Sequence, residues 1–456
     1  MAARAIPIGS NSSFADWFLS KLNDTNSDNL ANQNRIPRVP RSLRSKDGYM
    51  KCFDPEMVSL GPYHNGNPSF KPMERFKFDA MKRYTNSSLN SYANAEQVYE
   101  KLKPVALEAK AWYEGQSSVS NEVFARMIYV DACFILDFID EFIRKSKISP
   151  TQGRPLRPDN DGVSLRSHDT SIVLRDMMLL ENQVPLFVLK ELMSITKRSD
   201  TIGLQNIDGF INVLIDTPEY FSGESLEGQI QGSSNSKHGD RDIRESIHLL
   251  DIYRKRILGN EVTSPNSAET ESWYSFRSVT ELKEAGIKCK RIGSTHLRKV
   301  NFKSNHLSGE LLLPHIVIDD MTKCLLVNMI AYELDPSGPL DRGITSYIWF
   351  MDSLVDREED VKELRAKSIL LNSLGSDKEV ADLFNVLATD LTPDPDSYAS
   401  VKRKIESHCK NSGRVYIANL LHTHFSTPWT TVGFSAAVLI LILTMIQTFF
   451  AVFPRK

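Results

Sequence analysis

The sequence predicts a mainly α-helical, multi-helix globular domain with a small β-hairpin element and one C-terminal transmembrane helix. Three observations carry this. Apolar residues recur at helical spacing through most of the chain, one short region near residue 300 has paired β-branched runs, and Thr430 to Phe453 contains no Asp, Glu, Lys, Arg or His. The formal charge of −2, with 41% hydrophobic and 25% charged residues, argues against a basic nucleic-acid-binding stripe and against a disordered acidic chain, so no nucleic-acid partner is expected. Cys52, Cys133, Cys289, Cys324 and Cys409 lie far apart without a CxxC pair, which suggests reduced, mostly buried thiols rather than a zinc module or disulfide framework. The first residues run on polar after Met1-Ala2-Ala3-Arg4-Ala5, without the apolar stretch of a secretory signal.

Taken in order, residues 1–35 read as a flexible polar leader with one amphipathic patch at Phe14, Trp17, Phe18 and Leu22. A mainly helical domain over residues 36–425 follows. It opens with a turn-rich stretch from Ile36-Pro37-Arg38-Val39-Pro40 through Gly61-Pro62-Tyr63-His64-Asn65-Gly66, where each X-Pro bond favours extended backbone. Helical faces come next at Met73, Phe76, Ala80 and Tyr84, then at Val98, Leu102, Val105 and Ala109. Val123 to Ile143 is apolar around most of its circumference and predicts a central buried helix. Ile172 to Ile195 predicts a helix kinked or split at Pro185. Polar stretches at about 147–169 and 222–240 read as exposed loops. Ile243 to Ile257 is helical, Leu297 to Phe302 and Leu311 to Ile318 form the strand pair, and helical patterns return at Thr322 to Tyr332, Ile344 to Leu371 and Lys378 to Leu387. Asp396 to Asn419 predicts an amphipathic helix with a basic face, leading toward the apolar run.

The run from Thr430 to Phe453 is long enough, at ~1.5 Å per residue, to cross the ~30 Å hydrocarbon core. Its Thr444 and Thr448 can bond back to the preceding turn, and Pro428 and Trp429 suit the interfacial end. Pro454, Arg455 and Lys456 form a short tail at 454–456. A single-pass protein of the plasma membrane or an endomembrane, with its N-terminal domain cytosolic, is the resulting expectation. Lys402, Arg403, Lys404, Lys410 and Arg414 favour that orientation, and Arg455 and Lys456 oppose it. Sequons at Asn11, Asn23 and Asn86 could carry glycan only if the domain were lumenal.

Several segments together resemble the plant family known as the domain of unknown function 247. They are Ile36-Pro37-Arg38-Val39-Pro40 with Leu43-Arg44, Val58-Ser59-Leu60-Gly61-Pro62-Tyr63-His64-Asn65-Gly66 with Met73-Glu74 and Lys77, and Val130-Asp131-Ala132-Cys133-Phe134-Ile135-Leu136. The series continues with Asp176 to Pro185, His248-Leu249-Leu250-Asp251, Ser278 to Leu282 with Ala285-Gly286, Asn328 to Glu333, and the Pro428-Trp429 step. The resemblance implies a plant membrane protein with one C-terminal span and no established reaction, in a family linked to pollen–stigma recognition in grass self-incompatibility. Asn65 stands where a second His is usual after Tyr63-His64 in that family, which weakens any chemistry built on a His pair.

Four residues stand out as motif candidates: Tyr63, His64, Asp131 and Glu181. The glycine-flanked loop can present Tyr63 and His64 to a ligand, or can be a tight structural turn. Asp131 lies among Ile128, Ala132 and Ile135, and a buried carboxylate needs a partner, for which Arg38, Arg44 and Arg175 are candidates. Glu181-Asn182-Gln183 can line a site or brace the helix break before Pro185. His422 and His424 lack the neighbours of a metal site. The sequence has no Walker loop, GxSxG, HExxH or strand-linked GxGxxG, so no catalytic, cofactor-binding or metal-ligating residue and no cofactor is assigned. The expected function is membrane-anchored recognition or signalling through an unidentified protein partner, with the oligomeric state open. The alternatives are a membrane-proximal hydrolase or transferase using a His64/Tyr63/Asp131/Glu181 pocket, and a structural tether.

Overall fold

The computed structural model describes residues 36–46, 48–85, 91–115, 119–146, 166–196, 200–216, 242–259, 277–305, 308–410 and 428–452. The leader patch, the three sequons, most of both loops, His422, His424 and the tail lie outside the described residues.

The Asn121–Ser146 helix is central because apolar residues cover most of its circumference, leaving a narrow polar side that carries Arg126, Asp137, Asp140 and Glu141. Phe124, Ile128, Cys133 and Ile139 are buried within it, and the Lys71–Thr85, Ser91–Glu108, Leu186–Ile195 and Asp200–Asp216 helices pack around it. Met73, Ala80 and Tyr84 are buried on the first of these, as their spacing predicts. A second buried helix, Asp320–Leu334, packs against Gly343–Leu354, Leu249–Leu258 and the short turn Met50–Cys52. One continuous apolar core runs through both groups, from Ile36 to Ile405.

Helix starts follow their capping chemistry. Ser278, Asp319 and Ser376 each accept a backbone N–H from three residues on, and His248 does the same through Nδ1 for Leu249–Leu258. The segment expected to be helical from Ile243 is helical there, over 242–245, but breaks at 246–248, and the His248 cap starts a second helix at Leu249. The Ile172–Ile195 segment splits as Pro185 demands, into helices Ser167–Met177 and Leu186–Ile195 with a 3-10 turn at Leu180–Asn182.

The helix expected over Ile344–Leu371 is three elements, Gly343–Leu354, Glu358–Ala366 and a strand, Leu370–Asn372. Asp360 causes the break: its carboxylate accepts the amides of Asp356 and Arg357, so the second helix starts there. The expected hairpin exists as β2 (Asn301–Ser304) against β3 (Gly309–Leu313), antiparallel. It sits in a larger arrangement, because β1 (Ile287–Arg291) pairs with β3 in parallel and β4 (Ile316–Ile318) pairs in parallel with β5 (Leu370–Asn372). Pro314 ends β3 instead of lying within one long strand. The basic helix is described as Ala399–Cys409, packed on β2.

Pro428–Val452 forms one helix, and none of Val432–Phe449 is buried against the rest of the protein. Thr444 and Thr448 donate to Ile440 O and Thr444 O at 2.7 and 2.8 Å, as the sequence suggests. Among the described residues it is one helix long and apolar enough to cross a membrane.

Candidate functional site

The residues singled out by sequence gather where the 53–66 loop crosses three helices. Val58 and Leu60 are fully buried, so the loop's backbone donors need acceptors, yet among the described residues no strand pairs with them. Side chains take that role. Asp176 accepts the amides of Glu56, Met57 and Val58 at 3.1, 2.7 and 3.0 Å. Asn182 Oδ1 accepts from Leu60 N at 2.6 Å and Asp131 Oδ2 from Gly61 N at 2.8 Å. Gly61 holds φ +66°, and a Cβ there would stand 3.3 Å from Gln183 O and 3.4 Å from the Tyr113 ring.

Asp131 forms the ion pair its burial requires, but with a different cation from those expected. Its partner is Lys77 at 2.8 Å, not Arg38, Arg44 or Arg175. The reason is geometric, since Lys77 lies on the buried face of the Lys71–Thr85 helix with Met73 and Ala80, directly against the central helix. Burial opposes the Lys77 charge, but Asp131 and Glu74 outweigh it and hold the ammonium above its ordinary value. Arg44 instead joins Glu181 and Asp54, at 2.9 and 2.6 Å. Arg175 joins Glu56 and Asp176, at 3.0 and 3.3 Å.

Glu181 accepts Val39 N at 2.8 Å and lies 3.4 Å from His64 Nε2. Burial pushes its carboxyl up, but His64, the Val39 amide and Arg44 together hold it below the ordinary glutamate value. Tyr63 donates to Ile36 O at 2.7 Å and accepts from Glu114 N at 2.9 Å. Its ring lies edge-on to Tyr113 and under the Arg38 guanidinium, 4.4 Å from the centroid. His64 and Glu181 are thus brought together. Tyr63 and Asp131 are joined to other groups, and their polar atoms hold backbone or Lys77.

Asn182 and Gln183 brace the helix break. Asn182 Nδ2 donates to Val58 O and Asp176 O, and Gln183 Nε2 to Met177 O and Leu179 O. Gln183 Oε1 accepts Leu250 N at 3.1 Å, and Asn328 accepts Leu180 N at 2.8 Å while donating to Cys52 O and Cys324 O. Glu333 continues the pattern by binding Arg254, Ile344 N and Thr345 N. Sequence reasoning missed Lys77, Asp176, Asn328 and the Arg254–Glu333 pair as functional polar groups. For Asn328 the available signal was a lone polar residue in an otherwise apolar stretch of helix, whereas Lys77, Asp176 and Arg254 lie among other charged residues of their helices and carry no such mark.

A separate open groove of about 540 Å³ lies between β2 and the Ala399–Cys409 helix, lined by Phe302, Ser304, Ser400, Arg403, Lys404 and His408 among others. Among the described residues, no group of three His, Cys, Asp or Glu is placed to hold a metal ion.

Residues 36–443 match the DUF247 family, described as "Plant protein of unknown function". The chain belongs to that family. The matched stretch starts at Ile36, the first residue of the polar framework, and runs into the apolar helix. Among curated proteins, the chain is similar to a putative UPF0481 protein of Arabidopsis thaliana, At3g02645, at 24% identity over 92% of this chain and 90% of that one. It is also similar to the UPF0481 protein At3g47200 of the same plant, at 26% identity over 91% and 86%. No solved structure matches.

Proposed function

We propose that this DUF247 member is a single-span membrane protein whose helical domain acts by binding another protein. The observation that carries the reading is the last helix, a charge-free apolar rod with Val432–Phe449 wholly unburied. Such a surface is costly in water and matched to a bilayer core. The family's polar positions support the binding role, because Tyr63, Asp131 and Glu181 are engaged in holding backbone and cations of this same chain. A rigid, internally braced domain fixed at a membrane suits recognition or signalling.

In this reading the domain lies on the cytosolic side of a plasma membrane or endomembrane, the side that Lys402, Arg403, Lys404, Lys410 and Arg414 before the span favour and Arg455 and Lys456 after it oppose. Protease treatment of sealed microsomes tests this together with partner capture. The expected result is digestion of the domain, no glycan on Asn86, and one saturable cross-linked partner recovered from native membranes. A protected, glycosylated domain contradicts the orientation, and an absence of any specific cross-link across expressing tissues contradicts the binding role.

A further inference from the structure

Cys52 and Cys324 are 272 positions apart in sequence, yet their sulfurs meet at 2.6 Å in the interior. Cys52 ends the Met50–Cys52 turn and Cys324 lies in the first turns of the Asp320–Leu334 helix. Both carry free thiols, and they are 4% and 8% exposed. Their juxtaposition is built from both sides. Asn328 donates to Cys52 O and to Cys324 O, each at 2.8 Å, so one amide fixes both backbones. Arg175 donates to Lys51 O and, at 2.9 Å, to Asp54 O, which pins the segment on either side of Cys52. A disulfide needs sulfurs about 2.05 Å apart, and these two stand within reach of such a bond.

We propose that Cys52 and Cys324 are a redox-active dithiol that hydrogen peroxide converts to an intramolecular disulfide, locking the Met50–Cys52 turn onto the Asp320–Leu334 helix. The two thiols are unequal. Arg175 hydrogen-bonds the Cys324 sulfur and not that of Cys52, so its guanidinium stabilises a thiolate at Cys324. Cys324 is therefore the attacking sulfur. Its thiolate attacks one peroxide oxygen, the O–O bond breaks, and the departing hydroxide leaves as water with the thiol's proton. The resulting Cys324 sulfenic acid is attacked by Cys52 sulfur. The S–O bond breaks, a second water leaves with the Cys52 proton, and the S–S bond forms. Two thiols lose two electrons in total and the peroxide becomes two waters. Cys133, Cys289 and Cys409 take no part.

The test uses the full chain in detergent micelles, oxidised with graded hydrogen peroxide, alkylated under denaturing conditions and digested without reduction. Mass spectrometry is expected to find a Cys52–Cys324 linked peptide at doses that leave Cys133 and Cys289 alkylatable. The thermal midpoint should rise with the link and return on reduction. Cys52→Ser should trap Cys324 as a sulfenic acid captured by dimedone, and Cys324→Ser should give several-fold less adduct at Cys52. The proposal is overturned if Cys52 and Cys324 stay free at doses that oxidise the partly buried Cys409, or if the link forms only after the fold is denatured.

Discussion

Lys77 and Asp131 show how much one buried pair can carry. Both side chains are almost fully buried, and Asp131 also holds Gly61 N. Lys77→Met leaves an unpaired carboxylate in the core and is expected to cost about 3–5 kcal/mol in chemical denaturation. The double variant Lys77→Met/Asp131→Asn removes both charges while keeping an acceptor for Gly61, and should recover most of that loss. A double variant as unstable as the single one would show that the pair is not what matters. His248 gives a second residue-scale prediction. Burial lowers its pKa from 6.5 to about 4. A histidine that resists protonation only when folded leaves stability intact above pH 6.5 and removes it as pH falls toward 4, by roughly 3 kcal/mol. His248→Asn keeps a capping acceptor for Asp251 N and should flatten that limb. Glu181, held below the ordinary glutamate value, adds a later loss as pH drops below 4.5. Of these residues, the burial of Asp131 was legible from its apolar neighbours. Its partner was not, because Lys77 meets it through helix packing across 54 positions of sequence.

At the scale of elements, the 53–66 loop behaves as a strand whose neighbour is made of side chains. Asp176 alone satisfies three consecutive amides. Asp176→Ala should therefore lower stability by about 3 kcal/mol and speed hydrogen exchange at Met57 and Val58, with helix Ser167–Met177 itself preserved. Unchanged protection at those two amides would refute the bracing role. The long helices were readable because a 3.6-residue period repeats through them, and the Pro185 split followed from a missing donor. The break at Val355 was hidden, since apolar periodicity continues across it and only the Asp360 cap, together with extended backbone at Val355, marks the boundary. Strands β1 and β5 were equally hidden: each is five residues or fewer, with few apolar positions to show a period of two. The acceptors at Asp176, Asn182 and Asn328 depend on the loop's path in space, which no local pattern encodes.

For the whole molecule, one core joins the loop, the central helix and the Asp320–Leu334 helix, and the polar framework runs through it from Ile36 to Thr345. The final helix stands apart from that core by chemistry: every large side chain from Val432 to Phe449 that is apolar would face lipid. Its length and lack of charge were plain in the sequence, because membrane crossing is a property of composition and not of tertiary contacts. The most direct measurement is alkaline carbonate extraction of native membranes carrying the full chain, beside a Leu441→Arg/Ile442→Lys variant. The full chain is expected to stay in the membrane pellet and the doubly charged variant to be released. Release of the unaltered chain would contradict a membrane span and with it the anchored domain proposed here.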